Sequence, residues 1–70
     1  KAGGTLPCVF NAANEEAVYA FLRREILFGQ IYEAVDHALQ KWAHLPAGDL
    51  SDIAYADTMA RQAAHDYLKL

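Results

Sequence analysis

Apolar residues recur along this chain at helical spacing, and no stretch alternates apolar with polar residues as a strand would. The clearest series is Ile31, Ala34, Val35, Ala38, Leu39 and Trp42, spaced i, i+3, i+4, i+7, i+8 and i+11. Every step keeps to one helical face, which predicts a helix over 31–44. Glu33, Asp36, His37, Gln40 and Lys41 fall on its solvent side. Upstream, Phe10, Ala13, Asn14, Ala17, Val18, Phe21 and Leu22 form a broader apolar side and predict a helix over 12–24. Asn11 is a good N-cap type for it. Glu15 and Glu16 then suit its first turn, and Arg23 and Arg24 its last. Pro7 is tolerated in a first helical turn and Thr5 is a capping type, so 6–10 reads as a turn of helix leading into, or continuous with, the longer one. Gly29 is the expected terminator.

Leu45-Pro46-Ala47-Gly48-Asp49 carries proline and glycine without periodicity and reads as a turn. Asp49 or Ser51 would cap a short helix over 50–55 that buries Leu50, Ile53 and Ala54. Asp57 would cap a last helix over 57–68. The buried face of that helix holds Ala56, Met59, Ala60, Ala63, Ala64, Tyr67 and Leu68, and its alanines admit a close neighbour. The expected architecture is an all-α bundle of three main helices plus short helical turns. It forms one domain over 5–70, preceded by a glycine-containing linker over 1–4.

Seventy residues bound the chain to one small domain. A chain of this size buries only about 60% of its unfolded surface. Cys8 is the single cysteine, so no internal disulfide can help, and a lone thiol fits a reducing compartment. The formal charge is −3, and the six basic residues are scattered, which argues against a nucleic-acid partner. The longest apolar run, Ala17–Leu22, is far too short to span a membrane. The chain opens Lys-Ala-Gly-Gly without methionine or a signal-peptide core, which reads as a segment of a longer polypeptide.

Little in the chain points to chemistry. Glu15 and Glu16 are a candidate acid/base pair, but adjacent helical residues point about 100° apart and cannot share a substrate. They read as partners of the helix dipole, and Asn14 as a satisfied structural amide. Glu33 and His37 have the i, i+4 spacing of metal ligands, yet His44 is two turns on and His65 lies on another helix, so a solvated face is the better reading. Arg61, His65 and Asp66 read as another charged face. Cys8 has no base nearby in sequence and reads as a small buried residue. Trp42 reads as core. Gly3-Gly4 follows no strand and is no phosphate loop.

The stretch Gly3-Gly4-Thr5-Leu6-Pro7-Cys8-Val9-Phe10-Asn11-Ala12-Ala13-Asn14-Glu15-Glu16-Ala17-Val18-Tyr19-Ala20-Phe21-Leu22 resembles the start of the C-terminal domain of the 1-deoxy-D-xylulose 5-phosphate reductoisomerase family. Its core is Asn11-Ala12-Ala13-Asn14-Glu15. Ile26-Leu27-Phe28 with Ile31, Leu50-Ser51-Asp52-Ile53, Ala56-Asp57, Ala60-Arg61 and Ala63 continue the resemblance in register. It implies the small helical C-terminal domain of a larger enzyme. That enzyme converts 1-deoxy-D-xylulose 5-phosphate to 2-C-methyl-D-erythritol 4-phosphate in the non-mevalonate isoprenoid pathway. It uses NADPH and Mg²⁺ or Mn²⁺, usually as a homodimer, in the bacterial cytoplasm or the plastid stroma.

The family's cofactor and metal motifs lie in its other domains and match nothing in residues 1–70. No catalytic, cofactor-binding or metal residue carries over, and Asn11, Asn14 and Glu15 transfer only as a structural signature. The resemblance thus implies a non-catalytic support domain whose partner is the remainder of its own polypeptide. The competing expectation is a free-standing helical interaction module that docks through an exposed apolar patch. The missing methionine favours the first.

Overall fold

A computed structural model of the chain describes residues 4–46 and 48–70. Residues 1–3 of the linker expected over 1–4, and Ala47 of the expected turn, lie outside them. The described residues form three helices, α1 (Leu6–Leu22), α2 (Phe28–Trp42) and α3 (Leu50–Leu68). Each packs against the other two. Thr5 meets Trp42, and Phe21 meets Phe28, so α1 and α2 run antiparallel. Cys8 meets Ile53 and Glu16 meets Arg61, so α1 and α3 run parallel. The all-α bundle of three main helices is therefore present as an up-down-up arrangement. Its radius of gyration, 11.6 Å, is close to the roughly 11 Å of a compact chain this long.

Several boundaries differ from the expectation, although the first turn and the first helix are continuous, as the sequence allowed, in one helix starting at Leu6 with Pro7 in its first turn. Asn11 is therefore an exposed mid-helix residue and not a cap, and Glu15 and Glu16 lie outside the first turn. Gly29 does not end a helix; it sits in the first turn of α2. The terminator of α1 is Arg24, at φ 64°. Its N–H donates to the Phe21 carbonyl at 2.9 Å, and the Glu25 N–H donates to the Ala20 carbonyl at 2.9 Å. This is the paired closure of a Schellman motif, built on arginine where glycine is usual. Arg23 and Arg24 thus lie beyond the last helical turn. At the other end of the chain, Lys69 repeats the device at φ 60°, with the Leu70 N–H donating to the His65 carbonyl.

A further difference is that the two helices expected over 50–55 and 57–68 are one, α3. Asp49 is its cap, accepting from the Asp52 N–H at 3.0 Å. Asp57 is a mid-helix residue. Leu50 was expected in the core but, at the first position of α3, is 85% exposed. Ala54, Phe10, Leu22 and Tyr67 are likewise exposed, each on the flank of its helix beyond the contact line.

The core explains that displacement. Ten of the fourteen buried apolar residues described are alanines, spread over all three helices. Val9, Ile26, Ile31 and Val35 are the larger members. Cys8, Val18, Phe21, Leu39, Trp42 and Leu68 pack around this centre, half-buried. Small contact residues draw helix axes together and leave no room between them for large side chains.

Thr5 joins the two ends of the α1/α2 pair. It is fully buried. Its hydroxyl donates to the Trp42 carbonyl at 2.8 Å and its N–H to the Leu45 carbonyl at 3.2 Å. The sequence reading made Thr5 a cap for the helix that follows it. The side chain instead donates to the last carbonyl of α2, which otherwise receives only the long 3.5 Å contact from the Leu45 N–H. Gly4 makes this approach possible, at φ +43° and with room for no Cβ, since one would sit 2.7 Å from the Leu45 oxygen.

Thr5→Val keeps the shape and removes the donor, so it should cost about 1–3 kcal/mol in denaturant unfolding, while Thr5→Ser should recover part of the loss. Two glycine substitutions should move stability in opposite directions. Gly4→Ala should destabilise by more than about 1 kcal/mol. Gly29→Ala meets nothing within 4 Å on a helical backbone and should stabilise by about 0.4–1 kcal/mol. Melting curves that rank the two glycine variants together would contradict the geometry.

Candidate functional site

The densest polar grouping described straddles α1 and α3 and is centred on Arg61. Asp57, one turn before it, binds the guanidinium through two oxygens, at 3.0 Å to Nε and 3.4 Å to Nη2. Across the helix interface, Nη1 lies 2.7 Å from Glu15 and 2.8 Å from Glu16. Glu16 uses its other oxygen to meet His65 Nε2 at 2.5 Å. An ionised carboxylate can only accept, so His65 carries its proton on Nε2 in this contact. A shallow groove of about 310 Å³ overlies the cluster, lined by Glu16, Thr58, Arg61, Gln62 and His65.

The alanine seam makes this possible. Ala12 and Ala17 of α1 and Ala60 and Ala64 of α3 are all fully buried. The helices therefore lie close enough for an arginine on one to reach two carboxylates on the other. Glu15 and Glu16 do diverge along the helix, as their spacing requires, but the broad guanidinium bridges the gap. Arg61, Asp57 and Glu16 are not members of solvated faces or caps; they form an interhelical clasp. The Asp57/Arg61 half was legible as an i, i+4 pair. Nothing local marks Glu16 as the partner of Arg61 and His65, which lie 45 and 49 residues away.

The electrostatics are those of a structural network. Burial pushes the Glu16 carboxyl up, but the hydrogen bonds and charges of Arg61 and His65 outweigh it and hold the group below its ordinary value of 4.5. Hydrogen bonds to Asp57, Glu16 and Glu15 hold Arg61 further into its charged form. Cys8 lies below the cluster, half-buried, with its thiol donating to the Ile53 carbonyl at 3.5 Å. Burial, and secondarily the Asp57 charge, push its pKa up against the opposing pull of Arg61, so the reactive thiolate is disfavoured.

The other candidates fall apart from one another. Glu33 accepts from the Tyr67 hydroxyl at 3.3 Å, and the His37 ring stacks on the Tyr67 ring at 5.0 Å. This pair therefore meets α3 and does not simply face solvent. His44 is exposed beyond the end of α2. Asp66 accepts from Gln62 on its own helix at 3.0 Å. Asn14 is half-buried, and Trp42 lies edge-on to Tyr55 at 5.9 Å. Among the described residues no three His, Cys, Asp or Glu side chains converge in a way that would hold a metal ion.

In class this is a small all-helical domain, a three-helix bundle whose main polar cluster joins α1 to α3. The chain belongs to the DXP reductoisomerase C-terminal domain family, whose model matches residues 1–63. It is 47% identical over 68 residues to the 1-deoxy-D-xylulose 5-phosphate reductoisomerase of Ralstonia nicotianae, and 46% to that of Ralstonia pickettii. It is 39% identical over 69 residues to the enzyme of that name from Halalkalibacterium halodurans. These alignments cover 97–99% of this chain but only 17–18% of each relative.

The family implies a divalent cation and NADPH, and the residues of this domain do not fit either. Where the carboxylates of Glu15, Glu16 and Asp57 meet, the space is filled by the Arg61 guanidinium, which would repel a cation. The described residues form no strand to present a glycine-rich dinucleotide loop.

Because Glu16 has a lowered pKa in the folded state, its contribution is fully present above the ordinary carboxylate range and is lost as pH falls through the folded value. Glu16→Gln should therefore cost about 1 kcal/mol at pH 7, held to that size by the partial exposure of Arg61 and His65. It should also flatten the decline in stability below pH 4.5. Parallel pH–stability curves for the two proteins would show that Glu16 is not held by the clasp.

Proposed function

We propose that this chain is the C-terminal support domain of an enzyme that converts 1-deoxy-D-xylulose 5-phosphate to 2-C-methyl-D-erythritol 4-phosphate in isoprenoid biosynthesis. The domain itself takes no part in the chemistry. NADPH and Mg²⁺ or Mn²⁺ belong to the rest of the enzyme, a homodimer of the bacterial cytoplasm or, in a plant, the plastid stroma. The partner of the domain is the remainder of its own polypeptide, which it braces in the arrangement that closes over substrate. Nucleic acid and membrane are not partners; no described helix is long and apolar enough to cross a membrane.

One observation carries the non-catalytic reading. Arg61, Glu15, Glu16, Asp57 and His65, the groups best suited to acid–base or phosphate chemistry, are occupied with one another across the α1/α3 interface. No buried side-chain nitrogen or oxygen among the described residues lacks a partner. A site that awaits substrate usually keeps donors or acceptors free for it. Calorimetric titration of the separately produced domain with NADPH, and then with 1-deoxy-D-xylulose 5-phosphate, should show no binding heat up to millimolar concentration, whereas the full enzyme should bind both. Saturable binding to the domain alone would overturn the reading.

A further inference from the structure

The α1–α2 turn carries a dense group of large exposed apolar side chains. Leu22 is 66% exposed, Leu27 76%, Phe28 58% and Tyr32 68%. They belong together. The Phe21 and Phe28 rings meet edge to face at 5.6 Å, and Phe28 and Tyr32 meet likewise at 5.7 Å. Leu22 and Leu27 flank the same turn. Monomeric proteins rarely expose large contiguous apolar patches without a use for them.

The turn is also built to hold its shape. The Schellman closure at Arg24 fixes its first half. In its second half the Leu27 N–H donates to Gln30 Oε1 at 2.6 Å, and the Gln30 N–H returns to the Leu27 carbonyl at 3.0 Å. Leu27 has no side-chain acceptor, so only this reciprocal half of a capping box is present. Ile26, 8% exposed, anchors the turn in the core from beneath. The most exposed leucine of the turn is thus held outward by a backbone that has little freedom left to lose on docking. Arg23 and Glu25, paired at 3.1 Å, form a charged rim. An apolar centre with a polar rim is the anatomy of an interface.

We infer that this tip, centred on Leu27, Phe28 and Tyr32, is where the domain docks on the part of its polypeptide lying outside these seventy residues. The inference rests on the support-domain reading. The relatives' lengths favour an occupant in cis: each is about six times as long as the segment matched here, so a much larger body is tethered to the domain. Tethering raises the effective concentration of that body to about the millimolar range, which favours a covered patch over an open one. The apolar residues at the opposite end fit the role less well. Tyr55 is already engaged edge-on with Trp42, Leu6 and Phe10 are each 45% exposed, less than any of the four residues at the tip, and only Leu50 at the start of α3 is more open.

A photo-crosslinking amino acid placed at Leu27 of the full-length enzyme tests this, with Asp66 and Leu50 as comparison positions. Irradiation should join position 27 to peptides outside the domain within the same molecule, in a yield at least about ten-fold above that from Asp66. Efficient crosslinks from Leu50 and none from Leu27 would overturn the tip assignment and leave the support reading standing. Crosslinks from Leu27 to a second copy would replace the occupant and overturn the inference. An absence of crosslinks from both Leu27 and Leu50, with the domain separating from the rest after a single proteolytic cut, would overturn both readings. Leu27→Asp in the full enzyme should speed proteolysis at the domain junction several-fold without altering the helix content of the domain.

Discussion

The close contact of three alanine-lined helices is the constraint on which the rest of this domain depends. Ala12, Ala17, Ala20, Ala34, Ala38, Ala56, Ala60 and Ala64 stand where bundles of this size often place leucine. Each buried alanine methyl contributes only about 0.8 kcal/mol, against roughly 1.5–3 kcal/mol for a leucine side chain. What the seam provides in return is proximity. At that spacing the hydroxyl of Thr5 reaches the end of α2, the thiol of Cys8 reaches the Ile53 carbonyl, and Arg61 reaches two glutamates on α1. Polar contacts that would fall short across a leucine layer become direct hydrogen bonds.

The same constraint accounts for what lies outside. Large side chains that find no room between the helices are moved to the rim, as with Phe21, Leu39 and Trp42, or onto the surface, as with Leu22, Phe28 and Tyr32. A small domain with a thin core and an apolar exterior is suited to partnership. Burying that exterior would stabilise it, and the relatives it matches are about six times as long as the matched segment. The mutual engagement of the charged cluster follows from the same geometry, because the closeness that lets Arg61 meet Glu15, Glu16 and Asp57 also commits these groups to one another.

How much of this was legible depended on the range of the interaction. The periodicity of Ile31 through Trp42 announced α2, the alanines of 56–64 announced a close helical contact, and Asp49 announced the start of α3. The stretch around Asn11-Ala12-Ala13-Asn14-Glu15 announced the family. Boundaries failed where a residue took an unusual part. Gly29 resembles a terminator, but Arg24 and Lys69 hold the left-handed positions, a cost that the packing of Ile26 and the paired backbone hydrogen bonds offset. Asp57 resembles a cap, but with Arg61 one turn on it continues the helix.

The sequence by itself therefore determined the helical class, the order of the main helices, the alanine-lined face of the last of them and the family, because each is written in local spacing or in a contiguous motif. Tertiary structure alone decided that Thr5 serves α2 instead of its own helix. It also decided that Glu15 and Glu16 converge on Arg61, and that Leu22, Leu27, Phe28 and Tyr32 gather on one exposed turn. These depend on how close the helices lie and which of their flanks meet. That is a property of three surfaces at once, and no window along the chain contains it.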